Sequence, residues 1–308
     1  MRLAFLFPGQ GSQYVGMGKA LYNEFESARE TYREASDAIG YDISKICFEG
    51  PKKELNKTFR TQPCLLTTSI AALRCAQEKG LSPIVVAGHS LGEYTALVAA
   101  GVLDFSDAVK LTELRGKLMQ EAVPEGLGLM ADLMGLDRDT VDSICLSVSS
   151  GYVAPANYNS LGQIVIAGDR KAVEEAIAMA KESGARRAVP LAVSVPSHCT
   201  LMLDASNKLS DILKGIEFGD PSVPVVNNAD AMLLNTTDSI RVSLVKQLDS
   251  PLLWEDSITA IIESGIDAFV EIGPGKVLTG LLKRIDPSAP CYRIEDPDTL
   301  SKTLASLL

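Results

Sequence analysis

Apolar residues fall along this chain in short unbroken runs separated by amphipathic stretches, a pattern that predicts parallel strands joined by helices. Leu3 to Phe7 is one such run, ended by Pro8-Gly9, and its lack of alternation suits a strand buried on both faces of a parallel sheet. The run from Ile84 to Gly88 and Ala268 to Ile272 read the same way, with further strands at Val223 to Asn227 and Cys291 to Ile294. Between them the pattern predicts helices over Tyr14 to Ala38 with a break, over Gln62 to Lys79, and from Ser106 as N-cap to Val123, where Pro124 stops it. A helix from His198 towards Gly215, and others over Ser239 to Leu248, Trp254 to Glu263, Lys276 to Arg284 and Asp298 to Leu308, complete that set.

From Gly126 to Val195 the rhythm changes. Strands at Gly128 to Gly135, Val153 to Tyr158, Gln163 to Ala167 and Arg186 to Val195 alternate with helices at Asp137 to Ser147 and Arg170 to Ser183. This βαββαβ order is the ferredoxin-like unit. The expected fold is therefore α/β: a large α/β-hydrolase-like domain with a parallel sheet core over 1–124 and 197–308, carrying an inserted small ferredoxin-like domain over 125–196.

Composition changes this picture little. In 308 residues, 46% hydrophobic and 22% charged residues are ordinary globular values, so a sizeable core is assured. The net charge of -10, with 29 scattered Lys and Arg, argues against nucleic-acid binding. No apolar run approaches membrane-spanning length, and the first run meets Pro8-Gly9 too soon for a signal-peptide core, so no membrane partner and a cytoplasmic location are expected. Six dispersed cysteines, with no C-x-x-C and no histidine at ligand spacing, read as buried free thiols, and no metal site is expected.

The candidate chemistry starts at Gly88-His89-Ser90-Leu91-Gly92. A serine between a strand and a helix, with glycines at minus two and plus two, fits a strained turn that lifts its hydroxyl above the sheet edge at a helix N-terminus. A plain N-cap serine in a Gly-Ser turn fits the same letters. A nucleophilic serine needs a base, and the chain has two histidines. His89 is adjacent to Ser90 and badly aimed for its proton, which leaves His198. No acid between the two stands at the end of an obvious strand, so a Ser90-His198 dyad oriented by a carbonyl or amide fits better than a triad. Arg115 interrupts the apolar stripe Ala108, Leu111, Leu118 and Ala122, and a guanidinium there must meet either a structural carboxylate or the carboxylate of a ligand. Gly273-Pro274-Gly275-Lys276 lacks the first Gly and the Ser/Thr of a phosphate loop, and its glycines are expected to let the chain pass close to the Ser90 loop.

Taken together, Phe7-Pro8-Gly9-Gln10-Gly11-Ser12-Gln13, Gly88-His89-Ser90-Leu91-Gly92-Glu93-Tyr94, Leu114-Arg115-Gly116, Ser194-Val195-Pro196-Ser197-His198 and Glu271-Ile272-Gly273-Pro274-Gly275 closely resemble the malonyl-CoA:acyl carrier protein transacylases of bacterial type II fatty acid synthesis. The resemblance runs nearly end to end. It implies a malonyl-serine intermediate on Ser90, His198 as base and then acid, Gln10 and the Leu91 N–H near the oxyanion, and Arg115 clamping the malonyl carboxylate. It further implies that the backbone carbonyl of Gln247 orients the histidine, that malonyl-CoA and acyl carrier protein are the partners, and that no cofactor is needed, CoA thioester being a substrate. A Ser-His thioesterase or esterase, and a non-catalytic carrier-docking scaffold, are the competing functions. Because the carrier in this family is acidic, Arg186, Arg187, Lys283 and Arg284 are expected to form a local basic patch for it.

Overall fold

The computed structural model describes residues 1–124, 126–191 and 195–307. Its first part runs β1 (Leu3–Phe7), α1 (Lys19–Glu24), α2 (Glu26–Ile39), α3 (Ile43–Glu49), α4 (Lys52–Leu55), α5 (Thr58–Glu78), β2 (Val85–Gly88), α6 (Leu91–Ala99) and α7 (Phe105–Ala122). The middle holds β3 (Gly128–Met134), α8 (Arg138–Ser147), β4 (Val153–Ser160), β5 (Gln163–Asp169), α9 (Arg170–Glu182) and β6 (Arg187–Pro190). The last part, after a 3-10 turn at Thr200–Met202, runs α10 (Leu203–Leu213), β7 (Val225–Val226), β8 (Leu233–Leu234), α11 (Thr237–Asp249) and α12 (Trp254–Glu263). It ends with β9 (Ala268–Ile272), α13 (Val277–Ile285), β10 (Cys291–Ile294) and α14 (Pro297–Leu307).

The strands form two sheets. The larger has the order β10-β9-β1-β2-β7-β8, parallel from β10 to β7, with the short β8 antiparallel at the edge. Its central strand explains its sequence. Leu3, Phe5 and Phe7 face one apolar core with α5, α6 and α7, while Ala4 and Leu6 face another with Trp254, Ile258, Leu278 and Leu282. A strand packed on both faces needs apolar residues at every position, which is why the run does not alternate. β7 keeps only two residues of the Val223 to Asn227 prediction, since Pro224 has no N–H for the ladder.

The smaller sheet is antiparallel, in the order β4-β5-β3-β6. One face packs on α8 and α9 through Leu133, Ile166, Val141 and Ala176. The other presents Met130, Ala156 and Val165 to Cys199, the neighbour of His198. β4 is tied to the larger part where Tyr158 N–H donates to Leu252 O at 2.9 Å and Leu252 N–H donates to Ala156 O at 2.8 Å.

Several boundaries move. α5 starts four residues before Gln62: Pro63 sits inside it as its sixth residue, where it forgoes the bond to the Phe59 carbonyl, and so misleads as a start signal. α7 is capped by Asp104, whose carboxylate accepts from Asp107 N–H at 3.2 Å, and Ser106 lies in its first turn. The last strand of the small sheet ends at Pro190, and positions 192–194 of the predicted Arg186 to Val195 strand lie outside the described residues. Gly273 does not approach the Ser90 loop: a Cβ there would overlap Ser69 Oγ and crowd Pro8. The close approach to the His89-Ser90 turn is made by Gly9, where a Cβ would overlap the carbonyl oxygen of His89. After β9, Glu271 is fully buried and accepts Leu278 N–H at 3.0 Å, Thr279 N–H at 2.8 Å and Thr279 Oγ1–H at 2.6 Å. It thus satisfies the open N-terminal donors of α13.

Candidate active site

Ser90 sits between β2 and α6 with φ 53 and ψ -108, a conformation a non-glycine residue holds only under constraint. Both flanking glycines are required there. A Cβ on Gly88 would overlap the carbonyl of Gly92, and one on Gly92 would overlap the carbonyl of Phe7, at the end of the adjacent strand β1. Asn228, just beyond β7, holds the turn: its Oδ1 accepts Ser90 N–H at 2.7 Å and its Nδ2 donates to Gly88 O at 2.8 Å. The sequence reading did not single out Asn228. Its signal was its place past the C-terminal end of a parallel strand, where α/β sheets build their sites.

His198 lies within reach of the serine. Its Nε2 is 2.8 Å from Ser90 Oγ, and its Nδ1 is 2.8 Å from the backbone oxygen of Gln247. A carbonyl can only accept, so Nδ1 carries the proton and Nε2 presents a lone pair to the Ser90 hydroxyl. The ring is 2% exposed, and burial, joined by the positive charge of Arg115, lowers its pKa to about 3. His89 is turned away: its Nε2 bonds Asn159 Oδ1 at 2.8 Å and its ring meets Trp254 edge-on. Burial lowers its pKa too.

Arg115 is 1% exposed. Its Nη1 donates to Gln62 Oε1 at 2.8 Å and its Nη2 to Gln247 Oε1 at 3.0 Å, with Ser90 Oγ 3.5 Å from Nη2. The guanidinium also lies over the Tyr94 ring at 5.3 Å. Among the described residues no carboxylate ion-pairs with it, and its Nε–H makes no hydrogen bond. Of the two partners open at the sequence level, a structural carboxylate is not there. Neutral amide oxygens hold the cation, and among the described residues its Nε–H is left without a partner.

Gln247 therefore serves twice, since its backbone oxygen meets His198 and its side chain meets Arg115. Its Nε2 donates to Glu93 Oε2 at 2.9 Å and to Ser90 O at 2.9 Å. Glu93, in the first turn of α6, is 1% exposed, and burial raises its pKa to about 7 against the lowering effect of bonds from Gln247 and Asn228. Glu93 and Gln62 were not foreseen as parts of this cluster. A first-turn glutamate reads as an ordinary favourable helix-end charge, and burial is not written in a single letter.

These groups open onto a cleft of about 190 Å³ between the two sheets. Gln10, Leu91, Ser90, Arg115 and His198 line its end, and Met130, Val165, Leu191, Val277 and Leu281 give it apolar walls. Leu91 is the first residue of α6, so its N–H has no acceptor within the helix. Gln10 Nε2 lies 3.4 Å from Thr58 Oγ1. Arg186, Arg187, Lys283 and Arg284 are all exposed. Arg284 reaches Gln163 on β5, which pairs with Met134 on β3, which in turn pairs with Arg187 on β6, so two of the four lie at one end of the small sheet. A third, Arg186, joins them by a bond from its N–H to the Met134 carbonyl at 2.8 Å. Among the described residues no group of His, Cys, Asp and Glu could hold a metal ion, and no helix is long and apolar enough to cross a membrane.

Residues 4–289 match the family model for the acyl transferase domain. A malonyl CoA-acyl carrier protein transacylase of Haemophilus influenzae is 52% identical over 96% of both chains, and one of Escherichia coli K12 is 50% identical over 98% of this chain and 99% of its own. Among solved structures, a malonyl-transacylase in complex with its type II polyketide acyl-carrier protein superposes with a TM-score of 0.97 at 50% identity, covering 99% of this chain and 100% of that one. With a match of this depth over nearly its whole length, the chain belongs to the acyl transferase domain family and, within it, to the malonyl CoA-acyl carrier protein transacylases.

Proposed function

We propose that the chain moves a malonyl group from malonyl-CoA to the phosphopantetheine thiol of acyl carrier protein through a malonyl ester on Ser90, supplying malonyl-carrier for fatty acid chain elongation. The observation that carries this reading is Arg115: a buried cation 3.5 Å from the Ser90 hydroxyl, held by amides and, among the described residues, paired with no carboxylate. A malonyl thioester bound at Ser90 brings the missing carboxylate, and a two-pronged contact fits a guanidinium edge. An acetyl or long acyl group would leave that cation desolvated and unpaired.

The steps follow from the geometry. Ser90 Oγ attacks the thioester carbonyl as its proton passes to His198 Nε2, 2.8 Å away. The developing oxyanion takes hydrogen bonds from the Leu91 N–H and the Gln10 amide, at the positive end of α6. Collapse expels CoA, whose thiolate takes the proton back from Nε2. The carrier thiol then repeats the sequence in reverse, giving ping-pong kinetics. The Gln247 carbonyl keeps the Nδ1–H tautomer in place throughout. A malonyl carboxylate on Arg115 would also screen the positive charge that helps to lower His198, so the correct substrate makes the base more basic. Serine, imidazole and backbone amides suffice for these steps, so we assign no cofactor.

We assign residues 1–124 and 197–308 to a large α/β-hydrolase-like domain and 125–196 to an inserted ferredoxin-like domain. The βαββαβ order of the insert and its β4-β5-β3-β6 sheet support this division. We place the protein in the cytoplasm, supported by six unpaired cysteines, five of them buried. The acidic carrier would dock on Arg186, Arg187, Lys283 and Arg284. Charge reversal there should raise the apparent KM for carrier at least several-fold and leave that for malonyl-CoA unchanged; no change in the carrier KM would reject the patch.

The function is tested by intact-mass spectrometry after brief mixing with malonyl-CoA, alone and with acyl carrier protein. A malonyl adduct that is absent in Ser90→Ala and passes to the carrier is the expected result. Free CoA accumulating without adduct or carrier acylation would make the protein a thioesterase, and no reaction at all would make it a scaffold.

A further inference from the structure

Two opposite charges are buried behind Ser90, and a single amide separates them. Gln247 gives its Oε1 to Arg115 at 3.0 Å and its Nε2 to Glu93 at 2.9 Å. Glu93 also accepts Asn228 N–H at 3.0 Å, and among the described residues it makes no direct ion pair. The other charged or titratable groups facing this cluster are few. Asp230, beyond β7, bears on Glu93 but is closed by an ion pair from Lys246 of α11. His198 and His89 have their pKa values lowered by burial and stay neutral, and Tyr94 on α6 has its pKa raised to about 12. Before substrate arrives, Arg115 is balanced in the molecules whose Glu93 is ionised.

The substrate upsets that balance. On the malonyl reading, a second carboxylate comes to the one guanidinium, and the enclosed site acquires net negative charge. Burying uncompensated charge is costly, and in proteins it is relieved by moving a proton. We infer that Glu93 shifts towards its protonated form, drawing the proton from solvent, when a malonyl group is seated on Ser90, so that Arg115 pairs with the substrate and the neutral carboxyl of Glu93 remains behind Gln247. Glu93 is thus a charge-compensating residue that acts on substrate through Gln247 and Arg115. Its pKa of about 7 without substrate puts the exchange within easy reach of neutral pH.

Proton bookkeeping isolates this event. Acylation itself moves the Ser90 hydroxyl proton to the CoA thiol and leaves solvent unchanged near neutral pH. A carboxylate arriving at a distance of several ångströms in an environment of effective dielectric near 20 raises a neighbouring pKa by about one unit. Mixing enzyme with malonyl-CoA in weakly buffered indicator solution between pH 7 and 8 should therefore consume roughly half a proton per malonyl-serine, counted by intact mass. Acetyl-CoA, which forms an ester without a carboxylate, should consume none per acetyl-serine. Glu93→Gln keeps the shape and an oxygen acceptor for Asn228 and Gln247, and its malonyl adduct should form without proton uptake.

Malonyl-serine forming in the intact protein without uptake would overturn the inference and leave the malonyl reading standing. Equal uptake in Glu93→Gln would move the proton to another group and also overturn it, as would equal uptake with acetyl-CoA. Should Glu93→Gln fail to fold, the malonyl against acetyl difference in the unaltered protein still decides. Absence of any malonyl adduct would reject the functional reading itself, and this inference with it.

Discussion

Arg115→Met removes the charge while keeping a long side chain on α7. In the proposed complex the guanidinium gives two charge-assisted hydrogen bonds to the malonyl carboxylate, each worth about 1.5–3 kcal/mol when its loss leaves a buried ion unsatisfied. Losing both should cost about 3–6 kcal/mol, which at roughly 1.4 kcal/mol per decade lowers kcat/KM for malonyl-CoA by about 10²- to 10⁴-fold. Acetyl-CoA should respond in the opposite sense. In the unaltered protein its methyl group leaves the cation desolvated, so replacing the cation by a thioether should raise acetyl transfer by a few-fold, up to about tenfold. Stability should change less than activity. Gln62 and Gln247 each lose a donor, but a buried, incompletely bonded charge is removed at the same time. The assay is the rate of acyl-serine formation from each thioester, followed by rapid-quench intact mass, with a thermal melt alongside. A folded variant in which the malonyl to acetyl ratio falls by less than about tenfold, or in which both rates drop together, would refute the clamp.

Four further outcomes follow from the structure. With His198 held near a pKa of about 3 by burial and the Arg115 charge, the imidazole stays neutral well below its ordinary 6.5, so acylation by acetyl-CoA should show no acid limb at pH 6–7; a limb centred there would mean the base is solvated. The same shift makes His198 a source of acid lability: the unfolded chain binds its proton below about 6.5 and the folded chain does not, so its contribution to stability is lost as pH falls from 6.5 towards 3, which a denaturant series against pH with His198→Asn as reference measures. Gly92→Ala pushes a methyl into the Phe7 carbonyl and should cost at least 2–3 kcal/mol or so with loss of Ser90 acylation, whereas unchanged activity would mean the turn is not constrained as described. Glu271→Ala leaves the Leu278 and Thr279 amides without their buried acceptor and should lower stability by about 2–4 kcal/mol, read by chemical denaturation, while a loss under about 1 kcal/mol would show that α13 does not depend on this cap.

What the sequence disclosed depends on whether a residue acts through its own side chain or through its surroundings. β1 was legible because burial on both faces forces an apolar residue at every position. Ser90 was legible because its turn forces two glycines, and Arg115 because a charge on an apolar stripe is a visible conflict. The partners of Arg115 were not legible: an amide such as Gln62 or Gln247 looks the same on a surface as in a core. The orienting role of Gln247 rests on a backbone carbonyl, which every residue has, so only the likeness to a known family could point to it. Glu93 and Asn228 were hidden for a related reason, since each acts through enclosure that arises when distant segments meet. The close approach assigned to Gly273 belongs to Gly9, because loop glycines declare a tight space without naming the neighbour.

The distribution of the site along the chain also bears on how the protein comes to be active. Ser90 and His198 are 108 positions apart, and Ser90 and Gln247 are 157 apart, so each contact closes a long loop. Loop closure of that length is entropically slow and is repaid only when the intervening elements have packed. The strained turn at Ser90 is likewise held in place by Asn228, which is delivered by a two-residue strand near the far edge of the sheet. A partly folded chain can therefore carry most of its helices and still have a serine that is neither raised nor supplied with a base. During synthesis this keeps an unfinished chain from consuming malonyl thioesters, and in refolding it makes recovery of acyl transfer a reporter of the last long-range contacts, later than any signal from the helices.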